Sequence, residues 1–487
     1  MPRSARLRVE VLESRWLPSA TPSLSWIPND PQFPQQYAMH NTGQNGAKVD
    51  IDINAPEAWR AATIARTTVG VVDTGIDYTH PDLYLNIWIN QNEIPPAIRA
   101  RLVDTDRDGR ITFRDLNTPI NQGPGKITDL NGNGVIDAGD LLRPISQGGW
   151  ADGIDTARNG YIDDLVGWNF VNNTNNPLDD QGHGSHISGT IGAVGNNGVG
   201  IAGIAWNTQL MALKTFDSRG ASDTRWLAAA IDYASNNGAR VVNASWVLSG
   251  PSAVINAAID RAAAKNVVIV ASAGNNARDV DVTPVYPAGS GAKNVIVVTS
   301  VDNQGRLSSF ANFGAKSVHL AAPGNNIYST NARGNYGNRS GTSMATSFVT
   351  GAAAMVTGLR PEWNYRNVID QLLASVRELD SLRGRVASGG MLNLAKAVRV
   401  PARPRTPPTF SGPGPSLSEV WVAPAGSVQI TPSQVTPVAN SSSTSSRVDA
   451  FVALGSASSW LDTWRSGRRG RLGSFTSYDA SAAPLPS

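Results

Sequence analysis

The sequence predicts an α/β fold: a three-layer, doubly wound, mainly parallel sheet with helices on both faces. Two observations carry this. Short β-branched runs alternate with segments of helical spacing between residues 151 and 400. Strands that alternate with helices pair in parallel and need helices over both faces. Composition agrees, because 41% hydrophobic residues supply a core, while 16% charged residues with 47 Gly and 30 Pro suit a loop-rich enzyme better than a coiled coil.

In chain order, residues 68–72 form a β-branched strand that ends at Asp73, and residues 209–215 form another. Residues 224–236 have helical spacing and lead into a strand at 240–244. An Ala-rich helix at 252–265 precedes strands at 267–271 and 294–299. Residues 343–359 form a helix of small residues, a composition that predicts burial. Around this core, residues 1–25 read as a leader, 26–400 as one globular domain, 96–150 as an Asp/Gly-rich insertion within it, and 401–487 as a Pro/Ser/Thr-rich disordered tail.

Several function classes are excluded. The absence of cysteine removes disulfides, thiolate zinc sites and a cysteine nucleophile. A net charge of +3 is too small an imbalance to argue for nucleic acid. No apolar run approaches the roughly 20 residues that span a bilayer. The leader is Arg-rich (Arg3, Arg6, Arg8, Arg15) and lacks the apolar stretch of a secretory signal. Its Leu12-Glu13-Ser14-Arg15 followed by Leu17-Pro18 resembles a short motif on some large bacterial surface proteins.

Three short motifs lie where such a sheet gathers chemistry, at the carboxyl ends of strands. Asp73-Thr74-Gly75 follows a strand directly, while Gly182-His183-Gly184-Ser185-His186 and Gly341-Thr342-Ser343-Met344-Ala345 each begin a helix. A serine hydroxyl needs an imidazole to take its proton, and that imidazole needs a carboxylate to fix its tautomer. Taken alone, Asp-Thr-Gly and Gly-Thr-Ser are common turn sequences. His183 and His186 have metal-like spacing, but a zincin helix needs Glu after the first His, and Gly184 stands there. A structural role for His186 is the expectation.

Together, Val71-Val72-Asp73-Thr74-Gly75-Ile76-Asp77 with His80-Pro81-Asp82-Leu83, the segment from Gly182 to Gly189, and the segment from Ser340 to Gly351 resemble the three motifs of subtilisin-like serine proteases, in that family's order. The resemblance covers roughly residues 28–400. It implies Asp73, His183 and Ser343 as a catalytic triad and Asn275, in Ser272-Ala273-Gly274-Asn275, as an oxyanion donor. It also implies that Gly220, Ala221 and Ser222, and Ser245, Trp246 and Val247, flank an extended peptide, with Ala273 and Gly274 beside the pocket. Three departures stand out. Val247-Leu248 stands where the family has glycine, which would narrow or reshape the pocket, Ser347 replaces a proline in the serine-bearing helix, and about 25 residues precede the mature-like start at 28–59 where the family carries a prodomain.

Calcium is the expected cofactor. Asp104, Asp106, Asp108, Gly109, Thr112 and Asp115 occupy positions 1, 3, 5, 6, 9 and 12 of a twelve-residue loop, with Arg110 at position 7. Asp129, Asn131, Asn133, Gly134, Asp137 and Asp140 repeat that layout, with Val135 at position 7. Ile111 and Ile136 both fall at position 8. The layout resembles dockerin-type loops, yet Pro119, Gly123, Pro124 and Gly125 leave no room for a regular helix between them. Residues 155–164 are a weaker third copy. By the family resemblance, Asp30, Asp82 and Asn197 form a further calcium site. The reading is therefore a calcium-binding serine endopeptidase, secreted or on a bacterial cell surface. It acts on protein or peptide substrates, as a monomer, without nucleic acid or a transmembrane segment. The alternative is a non-catalytic, calcium-dependent adhesion protein on the same scaffold.

Overall fold

The computed structural model describes residues 26–62, 66–399 and 450–452. The expected leader 1–25 lies outside the described residues, as does the expected tail 401–487 apart from Ala450–Val452.

A short helix α1 (Ala55–Ala61) precedes the first strand β1 (Thr68–Asp73). The insertion contributes three four-residue helices, α2 (Pro96–Arg99), α3 (Phe113–Leu116) and α4 (Ala138–Leu141), before β2 (Gly167–Asn169) and α5 (His183–Gly192). Then come β3 (Gln209–Lys214), β4 (Ala221–Ser222), α6 (Thr224–Asn236), β5 (Val241–Ala244), β6 (Trp246–Leu248), α7 (Ala253–Ala264), β7 (Val268–Ser272) and β8 (Val295–Val301). β9 (Leu320–Pro323) and the hairpin β10 (Ile327–Asn331) and β11 (Asn335–Arg339) lead to α8 (Thr342–Leu359). The described part of the globular domain closes with α9 (Tyr365–Ala374), β12 (Arg377–Glu378), β13 (Gly390–Met391) and α10 (Leu394–Ala397).

Nine of these strands form one sheet in the order β12-β13-β9-β8-β7-β5-β1-β3-β2. Its strands pair in parallel except at the β12–β13 edge. The expected three layers follow from side-chain alternation. Val69 and Val71 of β1, Leu210 and Ala212 of β3, and Val268 and Val270 of β7 join one apolar cluster with Ile187 of α5 and Phe348 of α8. Their neighbours Val72, Met211, Leu213, Ile269 and Ala271 join the other, with Leu227 and Ile231 of α6 and Ile259 of α7. A strand buried on both faces reads as a continuous apolar run, which is why β1, β3, β5 and β7 were legible as strands. Each large side chain so buried contributes about 1.5–3 kcal/mol relative to exposure.

The insertion packs on the first of these clusters through Ile111, Phe113, Leu116, Ile127, Ile136 and Trp150. No described helix is long and apolar enough to cross a membrane.

At the centre of the sheet, Gly70 lets α6 approach closely: a Cβ there would lie 2.8 Å from the Ala234 Cβ. Gly70→Ala should therefore overpack the β1–α6 contact and destabilise by about 1–3 kcal/mol. A thermal unfolding midpoint equal to that of the unsubstituted chain would contradict this packing.

Candidate active site

Asp73 is the last residue of β1, and His183 is the first of α5. Both are fully buried. Asp73 Oδ1 stands 2.7 Å from His183 Nδ1 and also accepts a hydrogen bond from the Thr74 amide at 2.8 Å. The approach is close: a Cβ on Gly184 would lie 2.1 Å from the Gly75 carbonyl oxygen and 3.2 Å from the Asp73 Cβ. Only glycine after the histidine lets α5 reach the end of β1.

Ser343 is the second residue of α8 and is fully buried. Its hydroxyl donates to the Ser245 carbonyl at 3.0 Å. His183 Nε2 is buried and makes no hydrogen bond among the described residues. Of the three residues expected as a triad, Asp73 and His183 are in contact, and the serine hydroxyl is turned toward the Ser245 carbonyl, just before β6. Asn275 follows β7 on the same edge of the sheet. Its Oδ1 accepts from both the Thr342 amide and the Thr342 hydroxyl, each at 2.9 Å. An amide N–H can only donate, so this pair fixes the carboxamide oxygen toward Thr342.

The residues expected to flank a peptide lie on β4 and β6 and after β7. Ala221 and Ser222 form β4, with Gly220 before it, and Trp246 and Val247 lie in β6 after Ser245. Ala273 and Gly274 follow β7. A Cβ on Gly274 would lie 3.6 Å from a Val247 methyl, so the valine side chain faces the Ala273–Gly274 wall. Val285 is buried in the same cluster. It adjoins Tyr286, which exchanges two backbone hydrogen bonds with Leu248. Ser347 lies inside α8, where its hydroxyl donates to the Met344 carbonyl at 2.6 Å.

Sequence reasoning missed the group that joins the first two motifs. Asp179 accepts from Thr74 Oγ1 (2.8 Å), from the Ser185 amide and hydroxyl (2.8 and 2.7 Å), and from the Gln181 and Gly182 amides. Thr74 Oγ1 in turn accepts from the Gly184 amide at 2.9 Å. Lys214, buried at the end of β3, donates to the Thr74 carbonyl and to Asp180, each at 2.7 Å. Leu-Asp-Asp in a loop gives no periodic signal, and its one clue is nearness to the histidine motif. His186 has the expected structural role: its Nε2 meets the Ile327 and Gly337 carbonyls of the β10–β11 hairpin at 2.9 and 3.2 Å. Burial lowers its pKa to about 3, so it is neutral at ordinary pH.

The acidic loops share one hydrogen-bond layout. Asp104 accepts from the Asp108 and Gly109 amides, and Asp129 from those of Asn133 and Gly134. The Arg110 amide donates to Asp108 and the Val135 amide to Asn133. Asp115 bonds the Thr105 and Thr112 amides as Asp140 bonds those of Leu130 and Asp137. Residues 155–164 repeat the start, with Asn159 and Gly160 amides on Asp155. Carboxylate oxygens of Asp104, Asp106 and Asp108 lie within 4.8 Å of one another. Arg66 bridges two of them, at 2.8 Å to Asp106 and 2.5 Å to Asp108. The loops do not pair with each other. Ile111 exchanges its backbone bonds with the Gln91 carboxamide and Ile136 with that of Asn117. Only the three-residue turn Pro119–Asn121 falls between α3 and residue 128, as the prolines predicted.

Asp30, Asp82 and Asn197 also converge. Asn197 donates from its amide to Asp30 (3.1 Å) and from its side chain to Asp82 (3.1 Å), and Tyr336 donates to Asp82 (2.8 Å). Burial, with the Asp30 charge adding to it, pushes the Asp82 pKa up to about 6. Two carboxylates held together out of water are an arrangement that a cation stabilises.

A family model described as the subtilase family matches residues 65–390. Subtilisin-like protease 1 of Plasmodium berghei (strain Anka) is 29% identical over 384 residues, covering 75% of this chain and 55% of the relative. The alkaline protease of Alkalihalobacillus alcalophilus is 34% identical over 233 residues, covering 48% of this chain and 59% of the relative. The chain thus spans somewhat more than half the length of these two relatives. Among solved structures, proteases from Pseudoalteromonas arctica PAMC 21717 match with a TM-score of 0.51 and 25% identity, over 76% of this chain and 98% of that chain.

The Asp179 hub generates a prediction of its own. Asp179→Ala strands several buried donors at once and should destabilise by about 2–4 kcal/mol, seen as a lower unfolding midpoint. It should also broaden the downfield proton resonance of the Asp73–His183 hydrogen bond. An unchanged midpoint and a sharp resonance would show that Asp179 does not hold the two motifs together.

Proposed function

Because the chain belongs to the subtilase family, we propose that it is a calcium-binding serine endopeptidase, secreted or held at a cell surface, that hydrolyses peptide bonds through an acyl-enzyme on Ser343. The observation that carries this reading is the 2.7 Å Asp73–His183 contact, made out of water and on the sheet edge where α8 presents Ser343.

A rotation about the Ser343 Cα–Cβ bond moves the hydroxyl from the Ser245 carbonyl toward His183 Nε2, which has no competing partner among the described residues. His183 then takes the hydroxyl proton as Ser343 attacks the substrate carbonyl, and later delivers it to the leaving amine. Asp73 holds Nδ1 protonated and stabilises the imidazolium as it forms. Charge develops on the carbonyl oxygen, where Asn275 Nδ2 and the Ser343 amide donate to it. The substrate backbone lies between Gly220–Ser222 and Ser245–Val247 as an added strand. Val247 favours a small side chain before the scissile bond.

Calcium would be held by Asp104, Asp106 and Asp108 with the Arg110 carbonyl and Asp115, by Asp129, Asn131 and Asn133 with the Val135 carbonyl and Asp140, and by Asp30, Asp82 and Asn197. Bound there, it supplies charge neutralisation and rigidity. The position-8 residues Ile111 and Ile136 sit in the apolar cluster that also supports α5 and α8, so loop order bears on the catalytic edge.

A fluorophosphonate probe should label Ser343, and Ser343→Ala should abolish labelling and turnover. Asn275→Ala should lower kcat about 10²–10³-fold with a small effect on KM. A chain that hydrolyses peptides equally well after either substitution would refute the assignment. Chelation should lower the unfolding midpoint by several degrees, and added calcium should restore it. An unchanged midpoint would remove calcium from the account.

A further inference from the structure

Strand β14 (Ala450–Val452) is separated from the rest of the described chain by residues 400–449. It lies between β4 and β6 and is antiparallel to both, making a small sheet in the order β4-β14-β6. Ala450 pairs with Ser222 and Leu248, Phe451 with Ala221 and Val247, and Val452 with Trp246. β4 and β6 do not pair with each other, so their facing edges stand one strand apart. Without β14, both would present unpaired backbone donors and acceptors to each other across that space.

The direction of β14 is informative. Because it runs antiparallel to β6, its carboxyl end points past Trp246 toward Ser245. The Ser245 carbonyl is the group that accepts the Ser343 hydroxyl. A peptide entering this groove with its acyl side leading to Ser343 would run the same way in the same register. Ser343 and His183 also have no solvent exposure, whereas an enzyme acting on polypeptides must present both.

We propose that segment 450–452 is a substrate-mimicking occupant of this groove, making the carboxyl-terminal tail an internal competitive inhibitor. The proposal rests on the peptidase reading of Ser343. The segment Ala450-Phe451-Val452 carries no charged group, so it suits a groove that recognises an extended backbone. Tethering keeps the segment at a high local concentration, so inhibition does not depend on dilution.

The test uses the full chain. Phe451→Pro and, separately, Val452→Pro remove a backbone donor and clash with the neighbouring strand. Reactive Ser343 is counted by fluorophosphonate titration, and hydrolysis of an alanine-rich tetrapeptide p-nitroanilide is expressed per titrated site. Both variants should show KM about tenfold lower than the unsubstituted chain with kcat unchanged. A synthetic peptide of residues 446–456 should raise that KM again. A second arm needs no catalysis: the same peptide, fluorescently labelled, should bind Ser343→Ala/Phe451→Pro and be excluded from Ser343→Ala with its tail intact. Equal KM values in titratable chains, or equal peptide binding with and without the proline, would overturn the proposal. A chain with no titratable serine but tail-dependent peptide binding would overturn the peptidase reading and leave the tail's place in the groove supported.

Discussion

The hydrogen bond between Asp73 and His183 depends on a carboxylate being kept in a place from which water is excluded. An isolated buried carboxylate is costly, and the site offsets that cost by aiming donors at it: the imidazole at 2.7 Å and the Thr74 amide at 2.8 Å, both on Oδ1. Those donors arrive there because β1 ends at Asp73 and α5 begins at His183, two backbones brought together by glycine at 184. Asp179 then ties Thr74 on one segment to Ser185 on the other. The pair is therefore fixed by a second buried carboxylate rather than by its own attraction alone. Lys214 adds a charge of opposite sign at the same edge, held against the Thr74 carbonyl and Asp180.

The parallel sheet makes this possible. Every strand that feeds the site ends on the same edge, so Asp73, Lys214, Ser245 and Asn275 follow β1, β3, β5 and β7 to neighbouring places although their sequence separations are large. The insertion exploits the other property of the fold, its deep apolar layer. Its loops are mostly polar, and by themselves they bury too little apolar surface to define a shape. Ile111 and Ile136 root each loop in the core, and side-chain amides of Gln91 and Asn117 satisfy their backbones in place of a partner loop. Each acidic loop is therefore anchored separately, by one apolar side chain in the core and one side-chain amide.

What was legible in the sequence was whatever has a period or a fixed local chemistry. The strands 68–72, 209–215 and 267–271 and the helix 224–236 are found within a residue or two of their expected bounds, because burial on both faces leaves an unbroken apolar signature. The twelve-residue spacing of the acidic loops was legible as a fixed local chemistry, and both segments share one hydrogen-bond layout. The hairpin Ile327–Asn331 and Asn335–Arg339 was not: its second strand, Asn-Tyr-Gly-Asn-Arg, is largely polar and partly exposed, and the buried His186 ring meets one carbonyl on each strand, Ile327 and Gly337. Asp179 was hidden because its role depends on contacts 105 positions apart. β14 lay inside a stretch whose Pro/Ser/Thr composition predicts disorder, and composition carries no information about three residues that find an existing edge.

The groove shows how these levels meet. Backbone pairing on both sides of a peptide is indifferent to side chains, so β4 and β6 supply affinity for any extended segment of suitable direction. Selection falls to the few positions where the walls approach, and here a Cβ on Gly274 would lie 3.6 Å from a Val247 methyl. A β-branched residue is stiff at χ1 and cannot swing aside cheaply, so the restriction is a property of the wall itself rather than of its occupant. On the proposed reading, the chain combines a permissive edge with a restricted wall. That combination favours occupants held chiefly by their backbone, and a segment of the chain's own tail, delivered at high local concentration, meets that requirement without having to satisfy a demanding pocket.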